Sequence, residues 1–131
     1  MTHPDIPDAE LEVLASLRQK GQATARELRE SLRSFRPLAH ASVMTLLERL
    51  DRKRLVTREK GPVGKAFVYR PTKRSGPTFR ALLHRLVHRA FGGDRMALVT
   101  TLFENKPPTP AELDQVQQLL DELRQKPRTR K

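Results

Sequence analysis

The sequence predicts a mainly α-helical fold with one small β-hairpin, and three observations carry that expectation. Apolar residues recur at helical spacing through most of the chain. Only between Leu55 and Pro71 does the pattern change, to β-branched and aromatic runs around a Gly/Pro turn. Three helices precede that hairpin and three follow it, so the chain divides into a front part with the hairpin and a helical rear part.

The first helix is expected from about Asp8 to Lys20. Pro7 and Asp8 suit a helix start, and Glu10 and Glu12 complement the positive end of the helix dipole. Leu11, Val13, Leu14 and Leu17 form its apolar face, and Gly21 stops it. Thr24-Ala25-Arg26-Glu27 is a capping-box pattern that opens a second, short helix. Pro37 ends the segment behind it, because its ring cannot continue a helix. The third helix runs from about Ala41 to Lys53. Val43, Leu46, Leu47 and Leu50 give it one apolar stripe, and Ser42, Thr45, Arg49, Arg52 and Lys53 occupy the opposite face.

Leu55 to Lys60 and Ala66 to Arg70 then read as two strands joined by Gly61-Pro62-Val63-Gly64-Lys65, and Pro71 closes the second. Lys73 to Pro77 is a linker. A fourth helix carries Phe79, Leu82, Leu83, Leu86, Val87 and Ala90 and stops at Gly92-Gly93. A short fifth, from Arg95 to about Glu104, is almost wholly apolar (Met96, Leu98, Val99, Leu102, Phe103). Thr109-Pro110-Ala111-Glu112 caps a sixth, which carries Leu113, Val116, Leu119, Leu120 and Leu123. The expected organisation is residues 1–74 as one domain, 75–126 as a helical region, and 127–131 as a basic, disordered tail.

Three helices followed by a hairpin, with a tight connection between the second and third, is the order of a winged helix-turn-helix. The charge agrees: 26 Lys/Arg face 15 Asp/Glu, a formal net charge of +11, which calls for a partner of dense negative charge. Duplex DNA fits that description, and an anionic membrane surface is the rival. The major groove admits one helix, and polar side chains near its N-terminus reach base edges. Ala41, Ser42, Met44 and Thr45 project from the first turns of the third helix and are the expected base readers, Ser42 and Thr45 through hydrogen bonds and Ala41 and Met44 through apolar contacts such as thymine methyl groups. Thr24, Arg26, Arg49, Arg52, Lys53, Arg58, Lys60 and Lys65 are the phosphate candidates, which would fix register and make binding sensitive to salt. In the rear helices, Phe79, Leu82, Leu83, Leu86, Val87, Val99, Leu102, Phe103, Val116, Leu119, Leu120 and Leu123 present more apolar surface than three short helices bury alone. A homodimer through this surface is expected, with folding back onto the front domain as the alternative.

The stretches PDAELEVLASLRQKGQATARELRESL, SVMTLLERLDRKRLVTREKGPVGKAFVYRP and FRALLHRLVHRAFGGDRMALVTTLFENKPPTPAELDQVQQLLDELR together resemble the penicillinase-repressor family of winged-helix transcriptional regulators. The likeness spans about residues 5 to 125 and rests on TLLERL, VYRP and FGG in this order. It implies a homodimeric repressor that binds inverted-repeat operators through its winged helix and dimerises through its C-terminal helices. It also implies induction by a membrane sensor-protease system that cleaves the dimerisation region. The chain departs from the family at several points. Family members often carry a basic or aromatic residue where Met44 stands, and sometimes Lys where Ala41 stands. The turn after the third helix is usually Lys-Lys-Gly. Arg52-Lys53-Arg54 stands there, so Arg54 is expected at positive φ. The cleaved bond is Asn-Phe in the family, whereas Leu102-Phe103 occupies that position. A copper-responsive branch uses C-terminal cysteines, and this chain has no cysteine.

Other functions find less support. Without cysteine there is neither disulfide nor thiolate zinc site. His84 and His88 stand at a zinc-chelating spacing, but without an obvious third ligand they read as surface histidines, and no metal or cofactor is expected. No apolar run is long enough to span a bilayer, and the acidic, proline-bearing start is unlike a signal peptide, so a cytoplasmic protein without membrane insertion is expected. No phosphate loop or catalytic triad signature is evident, so the expectation is not an enzyme. RNA binding lacks an array of stacking aromatics. A winged-helix protein-interaction module without sequence-specific DNA binding is the alternative of a different class.

Overall fold

A computed structural model describes residues 6–62, 64 and 66–126. Among these it contains α1 (Asp8–Lys20), β1 (Ala23–Thr24), α2 (Ala25–Leu32), α3 (His40–Arg52), β2 (Val56–Lys60), β3 (Phe67–Pro71), α4 (Ser75–Phe91), α5 (Arg95–Asn105) and α6 (Pro110–Gln125). The chain falls into two compact units, Met1–His84 and Arg85–Lys131. The tail at 127–131 and Lys65 lie outside the described residues.

In the first unit, the helices end where local chemistry ends them. Gly21, at φ 85°, closes α1 by donating its N–H to the Leu17 carbonyl at 2.8 Å. The capping box expected at α2 is present: Thr24 N–H donates to Glu27 Oε1 at 2.8 Å, and Glu27 N–H donates to Thr24 Oγ1 at 3.1 Å. After α3 the chain turns through Arg54, a non-glycine residue at φ 63°. This turn lets Arg54 N–H reach the Asp51 carbonyl at 2.9 Å and Leu55 N–H the Leu50 carbonyl at 2.9 Å. It satisfies carbonyls that a helix C-terminus otherwise leaves open.

The core of this unit is aliphatic. Val13, Leu14 and Leu17 of α1 meet Leu28 and Leu32 of α2 and Val43, Leu46, Leu47 and Leu50 of α3, all buried. Leu55, Val56 and Tyr69 join them from the sheet, and Phe79 of α4 packs against the cluster from its edge. Arg18 lies over the Phe79 ring, 4.3 Å from its centroid. Outside the core, Arg36 in the α2–α3 connection donates to both carboxylate oxygens of Glu12 in α1. The hydrogen bond to that guanidinium holds the Glu12 carboxyl below its ordinary pKa.

The sheet has one strand more than the sequence revealed. Its order is β1-β3-β2, all antiparallel, with Ala23 opposite Tyr69 and Thr24 opposite Val68. Two residues are too few to show an alternating pattern, and both stand at the entrance of α2, where they read as a helix cap. The expected hairpin is β2 with β3, in a register that sets Arg58 opposite Tyr69 and Lys60 opposite Phe67. Residues directly opposite share a face, so these two cations and two aromatic rings lie on one side of the hairpin.

In the second unit, α4 ends at Gly92 and Gly93, both at positive φ, as the sequence predicts. Asp94 caps α5 by accepting from Ala97 N–H at 3.1 Å. The second expected capping box, Thr109 with Glu112, opens α6 with Pro110 in its first turn. Neither α5 nor α6 buries a residue.

Candidate nucleic-acid interface

The interface is built on α3. Its apolar stripe is buried in the first unit, so its remaining face is outward by geometry. Ala41, Ser42 and Thr45 are exposed on that face within the first two turns. The Thr45 hydroxyl donates to the Ala41 carbonyl at 3.1 Å, which leaves its oxygen able to accept a hydrogen bond from a base amine. Met44 is placed differently. It is half-buried against the core and lines a hollow of about 700 Å³ together with Thr24, Arg26, His40, Phe67 and Tyr69.

The cations expected at phosphates divide into two sets. Arg26, Arg49, Arg52, Arg58 and Lys60 are exposed. Arg52 approaches Glu48 one turn back at 4.0 Å, an exposed pair too weak to hold it. Arg58 lies over the Phe67 ring, 4.4 Å from its centroid, which fixes the guanidinium on the aromatic face of the hairpin. Thr24 is half-buried, with its hydroxyl oxygen engaged by the cap and its proton still to donate. Lys53 is turned inward: its Nζ donates to Glu10 Oε1 at 2.6 Å. Burial of that carboxylate draws the ammonium to it, away from the outward face of α3.

Two features of this neighbourhood escaped the sequence. Glu10 reads there only as a first-turn acid that complements the helix dipole, but it is buried, 2% exposed. Its position three residues before Val13, four before Leu14 and seven before Leu17, on the buried face of α1, is the signal that could have found it. On the far side of the hairpin, Arg70 joins Glu59 across the strands and donates to Gln22 Oε1 at 2.9 Å, tying the hairpin to the loop before α2. Among the described residues no three His, Asp or Glu side chains group as a cation site, and no helix is long and apolar enough to cross a membrane.

The dimerisation candidates are also divided. Phe79 packs in the first unit, Leu82 and Phe103 are half-buried, and Val87 is buried. Leu83, Leu86, Val99, Leu102, Leu119, Leu120 and Leu123 are exposed, Leu102 by 57%, and Val116 is half-buried.

Comparison with known proteins agrees with the geometry. Residues 6–122 match the family model described as penicillinase repressor. The penicillinase repressor of Bacillus licheniformis is 26% identical over 119 residues, 91% of each chain. Among solved structures, a mutant of MarR from E. coli, complexed with operator DNA, is 26% identical at a TM-score of 0.54, over 91% of this chain and 76% of that one. YusO from Bacillus subtilis shares the fold at 21% identity and a TM-score of 0.55, over 93% of this chain and 77% of that one. An outward polar face on α3, cations on the hairpin beside it and a family match over nearly the whole length lead to one conclusion: the chain belongs to the penicillinase-repressor family of winged-helix, DNA-binding transcription regulators.

Proposed function

We propose that the chain is a homodimeric repressor that occupies inverted-repeat operators, one α3 in each of two successive major grooves. The observation that carries the reading is the outward face of α3, where Ala41, Ser42 and Thr45 stand exposed between two sets of exposed cations. Ser42 and Thr45 hydrogen-bond base edges, and Ala41 meets a thymine methyl group. Arg49 and Arg52 take phosphates at one end of the helix and Arg58 and Lys60 take them from the hairpin. Thr24 and Arg26 receive the backbone at the start of α2, where the helix N-terminus adds its own N–H groups.

The dimer is supported by the second unit. Its helices leave Leu102, Leu119, Leu120 and Leu123 exposed, and large apolar side chains left open in this number favour a protein–protein contact. A two-fold partner covers it with its own copy of the same face. For induction, the family implies a membrane sensor-protease system. Leu102-Phe103 stands at the corresponding bond, inside α5 rather than in a loop, so cleavage there requires local opening of the helix.

The test uses an operator selected from random-sequence DNA by the wild-type protein, with a shuffled duplex as control. Thr45→Ala is expected to weaken operator binding about five- to tenfold, on the order of 1 kcal/mol, with little change on shuffled DNA. Arg52→Ala is expected to weaken both and to lower the salt slope by about one. Equal losses on both duplexes for Thr45→Ala would remove α3 as the reader and favour a nonspecific or protein-binding module.

A further inference from the structure

The core side of α3 holds an ion pair that stability does not explain. Glu10, in the first turn of α1, accepts from Lys53 Nζ at 2.6 Å, and the lysine side chain is itself 28% exposed. Taking the Glu10 carboxylate out of water is costly, and an apolar pair of similar volume is often as stable as such an ion pair or more so. What such a pair supplies is direction. The contacts of Val43, Leu46, Leu47 and Leu50 are non-directional, so by themselves they tolerate small rotations and slips of α3. A hydrogen-bonded ion pair does not, because its strength falls steeply with distance and angle.

The surroundings make Lys53 well placed for this. It is the C-cap of α3, with its N–H on the Arg49 carbonyl at 3.1 Å. The next residue, Arg54, is fixed by its turn, and its carbonyl accepts from the Thr72 hydroxyl at 2.8 Å. The Leu55 carbonyl accepts from Thr72 N–H at 3.0 Å. The end of α3 is thus anchored to the exit of the hairpin through backbone and to α1 through the Lys53 side chain. Arg49 and Arg52 line the same hollow as Glu10 and Lys53, so the buried carboxylate withdraws one of three neighbouring cations and leaves two facing outward.

We infer that Glu10 and Lys53 are positioning residues that set the rotation of α3 and thereby its discrimination between operator and other DNA. The inference rests on α3 as the reading helix. It assigns no DNA contact to Lys53. Turning α3 by a few tens of degrees would carry Ser42 and Thr45 off the base edges while leaving the distributed contacts of Arg49, Arg52, Arg58 and Lys60 to phosphate nearly intact. Sequence discrimination should therefore fail before general DNA affinity does.

The experiment compares wild type with E10M/K53M, which replaces the pair by apolar side chains, and with the charge-swapped E10K/K53E. Each is measured for melting temperature, for affinity to the selected operator and its shuffled control, and for salt slope on both. For E10M/K53M we expect a melting temperature at or above that of wild type. Its operator-to-shuffled affinity ratio should fall about tenfold, at an unchanged slope on shuffled DNA. The swapped variant is expected to keep more of the ratio than the apolar one. A wild-type ratio in E10M/K53M overturns the inference. So does an equal loss on both duplexes with the slope lowered by about one, which would make Lys53 a phosphate contact. If E10M/K53M does not fold, the swapped variant decides: a retained ratio supports the inference, and loss of all DNA binding overturns it. A wild-type ratio near one would instead remove α3 as the reader, and that result appears before any variant is made.

Discussion

Arg54 shows how a single residue carries both a family likeness and a cost. The turn after α3 needs a left-handed residue, and the family supplies glycine there; this chain supplies arginine, at φ 63°. A side chain in that region costs roughly 1 kcal/mol against glycine. Arg54→Gly is therefore expected to stabilise the protein by about that amount, seen as a higher denaturant midpoint at unchanged slope. An unchanged or lower midpoint would mean that the arginine is strain-free or has a compensating contact. This position was legible in the sequence because the departure from glycine is visible in the letters. Glu10 was not. Its spacing to Val13 and Leu14 puts it on the buried face of α1, but only its partner, 43 residues further on, shows what holds a carboxylate there. Lys53 was read from its own helix face for the same reason. Periodicity alone puts Met44 on the outward face, whereas its side chain is half-buried against the core and lines one hollow with Phe67 and Tyr69. Pairings between distant segments leave no local pattern.

At the scale of elements, sequence and structure agree wherever a stop or start is chemical. Gly21, the two capping boxes, Pro71 and Gly92-Gly93 each bound an element as expected, because each acts on backbone groups within a turn of itself. The strand β1 fails that condition, since its hydrogen bonds come from β3. The consequence is that Thr24 serves two elements at once. It caps α2, and it pairs with Val68 at the edge of the sheet. Removing the cap by Thr24→Ala is expected to cost about 1 kcal/mol, and Thr24→Ser to restore most of it. Chemical denaturation of both variants checks this. A loss that serine does not restore would assign the cost to the strand rather than the cap. The same substitution, if Thr24 also receives phosphate, weakens binding to operator and shuffled DNA alike.

For the whole molecule, the two compact units divide the work. The first holds a closed aliphatic core and every residue proposed to touch DNA, whereas α5 and α6 of the second have no fully buried residue. The sequence made the second unit legible as unfinished, because its leucine stripes exceed what short helices cover. It could not say which leucines a single chain would bury, since that depends on packing rather than on period. In the proposed dimer two copies of the first unit meet the two half-sites. Half-site spacing is then a property of the dimer, and base choice is a property of α3 and the Glu10–Lys53 pair behind it.

Hydroxyl-radical footprinting of the protein on its selected operator decides whether two α3 helices occupy two half-sites. Two protected patches related by a two-fold axis are expected, with centres about ten base pairs or a multiple of that apart, and no such pattern on shuffled DNA. One unpaired patch, or even, weak protection along both duplexes, would contradict that arrangement.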